Sequence, residues 1–168
     1  MEILDYIRRE FASMRGLSGS TMTGMTDELL NAPATGVANT IGATLIHLIS
    51  SEEFFTQKLL QGKPMLWDDA GWNKKVGLDI PSNGDVWTEV SKVKLSLTSL
   101  LQYQEAVCAE TEAYLNSLKP EDLDRKVDMF GQPHPVADVL ALVINHETAH
   151  LGEIAALKGI HGTKGLPY

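Results

Sequence analysis

Val86, Val90, Val93, Leu97, Leu100, Val107, Tyr114 and Leu118 follow a four–three spacing, with the polar Gln104 and Thr111 on the same seam. A narrow apolar stripe of this kind belongs to a helix packed in a bundle, because neighbouring helices must cover it. The spacing therefore predicts one long helix from Asp85, a good N-cap, to the stop at Pro120.

Three further long helices are predicted around it. The first begins near Glu2, with Ile3, Ile7, Phe11 and Met14 at helical spacing; Gly16, Gly19 and Gly24 weaken its second half. A short helical turn capped by Thr26 is expected in "TDELL", before "NAPATG" breaks the pattern. The second runs from about Thr40 to Leu60, stops at Gly62 and Pro64, and is apolar on more than one side, which predicts burial. The fourth starts after Pro135 and runs to about Lys158, with Gly159 as its closing residue. No strand is predicted.

Four long helices define an all-α chain built as a four-helix bundle. Residues 61–85 link helices two and three; the link is rich in Gly, Pro, Asp and Asn and holds Trp67 and Trp72. A link this long can cross the length of the bundle, so helices two and three are expected to run parallel. The 168 residues fit a single domain spanning 1–168.

Composition removes several classes of function. The formal net charge is −8, and the basic residues are scattered in pairs such as Arg8 and Arg9 or Lys74 and Lys75. Nucleic-acid binding needs a basic stripe, so it is not expected. No apolar run approaches the ~18 residues of a membrane span. The opening "MEILDYIRREF" lacks the apolar core of a signal peptide, and a cytoplasmic protein is expected. Cys108 is the one cysteine, so no intrachain disulfide can form; mid-helix, it reads as a small buried hydrophobe.

The fourth helix contains "HETAH", an H-E-x-x-H pattern at His146, Glu147 and His150. Residues four apart share a helix face. The two histidines are placed on the face of Val139, Leu142, Val143, Leu157 and Ile160, the expected buried stripe, with Glu153 beside them. Two imidazoles and a carboxylate are expensive to bury without partners, and a divalent metal would supply one. Two ligands do not complete a site. His47, mid-helix in "IGATLIHLISSEEFF", is the third candidate, because facing helices of a bundle supply ligands to a shared centre. The competing reading is a hydrogen-bonded core histidine. His134 and His161 are expected at the surface or in loops. Glu153 is expected to orient an imidazole from behind, with a place as fourth ligand as the alternative, and Glu52 and Glu53 to face solvent as ordinary charges.

A zincin protease is not expected. The metzincin pattern needs Gly three residues and His six residues beyond the second histidine; Glu153 and Ala156 stand there. No later glutamate can serve as the third ligand. Glu147 remains a candidate general base toward a metal-bound water, with a solvent-exposed or bundle-capping role as the alternative.

The segments "TIGATLIHLISSEEFF" and "PVADVLALVINHETAHLGEIAALKGIHG", with the closing "GLPY", resemble the DinB/YfiT-like superfamily of metal-dependent enzymes. The resemblance covers most of the chain. It implies a four-helix bundle with a long crossover between the second and third helices, and metal ligands at His47, His146 and His150. It implies nickel or zinc as the divalent ion, water completing its shell, and frequent homodimers. It also implies chemistry on a small-molecule substrate: transfer or isomerisation with a low-molecular-weight thiol, or hydrolysis. The alternative function is a non-catalytic metal- or small-ligand-binding bundle with a stress-related role.

Overall fold

The computed structural model describes residues 2–82, 84, 86–90 and 92–166. The long helices are α1 (Ile3–Met22), α3 (Ile41–Glu53), α7 (Leu97–Ser117) and α8 (Val136–Ile160). Shorter helices lie between them: α2 (Asp27–Leu30), α4 (Leu66–Asp69), α5 (Trp72–Lys75) and α6 (Val86–Val90). The expected caps at Thr26 and Thr40 are present, their side chains accepting from the Leu29 and Ala43 amides. The expected cap at Asp85 and the last two residues of "GLPY" lie outside the described residues.

Contacts between the long helices give their directions. Gly42 lies against Leu95, the Glu53 carboxylate accepts from the Tyr103 hydroxyl, and the Thr56 hydroxyl meets that of Thr111. These pairs advance together along the chain, so α3 and α7 run parallel, as the long link requires. The pairs Arg8–Leu115 and Gln104–Ser18 advance in opposite senses, so α1 and α7 are antiparallel. The bundle is thus the all-α arrangement with a crossover, which runs past the predicted 61–85 link through α6 to the start of α7. Trp67 is buried in that crossover and donates its indole N–H to the Ile80 carbonyl at 2.9 Å.

Four departures from the sequence expectation have local causes. The long third helix is broken between α6 and α7. Asn31 pairs with both backbone groups of Leu95, and the Asp27 carboxylate accepts from the Leu97 amide at 2.8 Å. Side chains of α2 and its C-cap Asn31 thereby take backbone groups that a continuous helix would use, and cap α7 from outside. The second helix passes into a π-helical stretch at Phe54–Leu59. There the Thr56 hydroxyl donates back to the Glu52 carbonyl at 2.8 Å, a contact that bends helices. Strands do occur: β1 (Lys126–Met129) and β2 (Gln132–Pro135) form an antiparallel hairpin, with His134 on β2 opposite Val127. Its two-residue turn has φ of 56° at Phe130 and 82° at Gly131, the primed geometry that suits hairpin twist. Finally, α8 runs through Gly159. The Thr163 amide bonds to Lys158 and the Gly162 amide to Gly159, a Schellman closure with Gly162 at φ 76°.

Glu52 and Glu53 are not solvent-facing; they are 2% and 0% exposed. Arg15 of α1 donates to both Glu52 oxygens, one at 2.6 Å, and Thr111 of α7 donates at 2.6 Å. The Glu53 carboxylate accepts from the Leu66 amide and from Tyr103 at 2.5 Å, tying α3 to the crossover and to α7.

Three outcomes test this packing by urea denaturation. A methyl at Gly42 would meet a Leu95 methyl at 2.8 Å and the Leu30 carbonyl oxygen at 3.0 Å, whereas Gly16 and Gly19 have no neighbour within 4 Å. Gly42→Ala is expected to lose ~1–3 kcal/mol by overpacking. Gly16→Ala and Gly19→Ala are expected to gain ~0.5–1 kcal/mol through helix propensity. Arg15→Ala strands the Glu52 carboxylate in the core and is expected to lose ~3–5 kcal/mol.

Candidate metal centre

α8 buries Val136, Val139, Leu140, Val143, Leu151, Ile154 and Leu157, together with Glu147 and Lys158. This stripe is displaced from the one the sequence suggested. Ile160 is exposed, and His146 and His150 stand half-buried at the stripe's edge. Lys158 explains part of the rotation: its ammonium donates to the Thr21 and Thr23 carbonyls at 2.6 and 2.7 Å, capping the end of α1.

His47, mid-way along α3, faces the two α8 histidines. The three side chains each offer a ring nitrogen, and these atoms all lie within 4.8 Å of one another. The Nε2 atoms of His47 and His146 are 3.2 Å apart. Two nitrogens on one tetrahedral zinc would be ~3.3–3.4 Å apart, from bonds of ~2.0–2.1 Å. The pair is therefore already spaced for a common ion. The His150 Nδ1 lies 2.8 Å from a Glu153 oxygen. That contact places the ring proton on Nδ1 and leaves Nε2 free to ligate, the arrangement expected of Glu153.

The electrostatics suit ligation too. Burial lowers the pKa of His47, and the neighbouring His150 lowers it further. His146 is pushed down to about 4, first by burial and then by His150 and His47. Both rings are thus neutral near pH 7, the form that donates a lone pair to a metal.

Glu147 occupies a different environment. Its carboxyl is 1% exposed, and one oxygen has no hydrogen-bond partner. Burial and then the Glu52 carboxylate push its pKa up, against the pull of Arg15. Cys108 shares that region; burial and Glu52 push its thiol up to about 12, which removes it as a nucleophile at neutral pH. His134 and His161 stay outside the histidine group, on β2 and at the exposed end of α8.

Two aromatic residues at the site were not singled out by the sequence. Trp87 of α6 lies over His47, with ring centroids 4.7 Å apart. Phe130, at the hairpin tip, helps to line a cleft of about 310 Å³ that opens beside His47 and His146. Of the turn at 130–131 only Gly131 is a usual hairpin-turn residue, so the sequence carries little sign of it.

Fold and site together define a helical crossover bundle with a three-histidine centre at its open edge. The chain belongs to the DinB superfamily, whose family model matches residues 10–154. Solved structures share the fold. A conserved protein from Enterococcus faecalis aligns with TM-score 0.80 at 21% identity, covering 94% of this chain and 96% of its own. A DinB-like protein from Bacillus subtilis aligns with TM-score 0.67 at 18% identity, over 97% and 96% of the two chains. Another from Bacillus cereus gives 0.64 at 18%, over 93% and 91%. No curated protein matches the chain. Among the described residues, no helix is long and apolar enough to cross a membrane.

Glu153→Ala removes the partner of His150 Nδ1. It is expected to weaken Zn²⁺ or Ni²⁺ affinity by ~10–100-fold in calorimetric titration while leaving the melting temperature of the metal-free protein unchanged. An unchanged affinity would show that Glu153 does not orient the ring.

Proposed function

We propose that the chain is a metal-dependent enzyme acting on a small molecule, with a divalent ion, nickel or zinc, held by His47, His146 and His150. A bound divalent ion would supply Lewis acidity, lowering the pKa of a ligated thiol or water. Transfer to or from a low-molecular-weight thiol and hydrolysis are the two reaction classes this chemistry serves. In this reading the domain spans 1–168 and works in the cytoplasm as a homodimer.

One observation carries the catalytic reading over a purely structural metal. Three imidazoles converge beside a cleft, and the nearby carboxylate of Glu153 is spent on the back of His150. Among the described residues the three histidines stand without a fourth protein ligand. A closed structural site has four; a catalytic one keeps a position for solvent or substrate.

The protein's own groups have separable tasks. Glu153 holds the His150 ring in one tautomer. Trp87 packs on His47 and restricts its rotation. The cleft gives a small molecule access to the His47 and His146 side of the group. Glu147 is assigned no proton transfer, since its carboxyl sits in the core beside Arg15 and Glu52.

Elemental analysis after mild purification, followed by titration with Zn²⁺ and Ni²⁺, tests the reading. The expected outcome is ~1 ion per chain, lost in His47→Ala and in His150→Ala. A protein that arrives empty and takes up neither ion would sink it. Retained occupancy in His47→Ala would remove α3 from the site.

A further inference from the structure

We propose that the cleft selects substrates with an uncharged aromatic or branched apolar body, gripped by Phe130 at the hairpin tip. This rests on the metal reading above for the reactive end of the molecule.

The cleft is continuous with the histidine group. His47 and His146 form one wall, and Phe54, Phe55, Leu142 and Phe130 form most of the rest. Its volume, about 310 Å³, suits a small ligand rather than an extended chain. The polar groups offered by its other described residues are the hydroxyls of Ser50, Ser51 and Ser82. These can hydrogen-bond but carry no charge. Among the described lining residues there is no lysine or arginine, so a carboxylate on the ligand finds no ion-pair partner there. A polyanionic thiol would be a poor fit to this wall, and a neutral thiol or alcohol a good one.

Phe130 supplies the second, independent observation. It holds φ 56° in a turn that favours Asn or Gly, and it is 78% exposed. A bulky residue is disfavoured in that backbone conformation, and an exposed ring adds little to the core. Glycine would serve the turn better. What the ring does provide is an apolar surface at the mouth of the cleft, on a two-residue turn whose register is set by the pairing of Met129 with Gln132. Residues that cost the fold and line a site are candidates for ligand contact.

The test uses Co²⁺-loaded protein, with binding read from the thiolate-to-cobalt charge-transfer band rather than from turnover. Three probes are titrated: 2-phenylethanethiol, ethanethiol and 3-mercaptopropionate. The phenyl thiol is expected to bind ~10-fold or more tightly than either of the others, from burial of its ring. In Phe130→Gly that preference is expected to fall to within ~2–3-fold, with no loss of melting temperature, since glycine accepts the turn without strain. Equal affinities, or tightest binding of the anionic thiol, would overturn the proposal. So would an unchanged preference in Phe130→Gly. A lowered melting temperature in that variant would instead mark Phe130 as structural, and dissociation of a dimer in sedimentation would mark it as a subunit contact; either outcome also overturns it. If the protein binds no cobalt, the metal reading fails on its own. The cleft is then judged with 2-phenylethanol on metal-free protein: amide shifts at Phe54 and Phe130 sustain the apolar subsite, and their absence ends it.

Discussion

The buried ion pair of Arg15 and Glu52 joins three of the long helices inside the bundle. The guanidinium donates to Glu52 of α3, Glu52 accepts from Thr111 of α7, and Glu147 of α8 lies within their electrostatic reach. Charges removed from water are expensive, and such a group is tolerated only when its members find one another. That requirement acts on rotation as well as distance. Each residue turns a helix by ~100°, so once Glu147 faces inward, His146 and His150 lie ~100° and ~60° to the same side of it. They are carried to the edge of the bundle. On α3 the same logic holds: with Glu52 turned to Arg15, His47 points ~140° away, toward the other side of the helix. The buried pair thus fits the orientation of α3, and the burial of Glu147 that of α8.

A second polar anchor builds the other side of the site. Glu53 leaves the face of Glu52 and reaches the Leu66 amide and the Tyr103 hydroxyl. It fixes where the crossover leaves α3. Further along, Asn31 and Asp27 hold the backbone at residues 95–97, ending the crossover at a defined place. Between these two anchors the chain carries α6, and Trp87 comes to rest over His47. The crossover is therefore part of the site, since the same hydrogen bonds that set its path also place an aromatic face on a candidate ligand.

What was legible in the sequence follows from which signals are local. The seam from Leu97 to Leu118, the caps at Thr26 and Thr40 and the length of the 61–85 link all announce themselves within a few residues, and they give the bundle and its crossover. The grouping of His47 with His146 and His150 was legible because unpaired imidazoles near a core demand a common explanation. The misread features depend on partners far away in sequence. Glu52 and Glu53 look like surface charges until Arg15, Thr111 and Tyr103 arrive. The break between α6 and α7 is invisible in the apolar spacing, because its cause lies ~70 residues earlier in Asp27 and Asn31. The hairpin was missed because each strand is four residues long, and β2 holds two prolines.

The H-E-x-x-H pattern shows how little a spacing decides alone. In a metal protease the glutamate must stand close enough to the ion to work on its water. The same spacing on a bundle helix can send the glutamate the other way. Here the glutamate between the histidines is buried in the core, where burial and Glu52 push its pKa up, and the third imidazole of the group comes from α3 instead of from further along the chain. Glu147 is buried along the apolar stripe of α8, while a Glu153 oxygen lies 2.8 Å from the Nδ1 of His150. Two acidic residues on one helix thus stand in different surroundings, one in the packed core and one against a candidate ligand. The dividing line is the boundary between the packed core and the cleft.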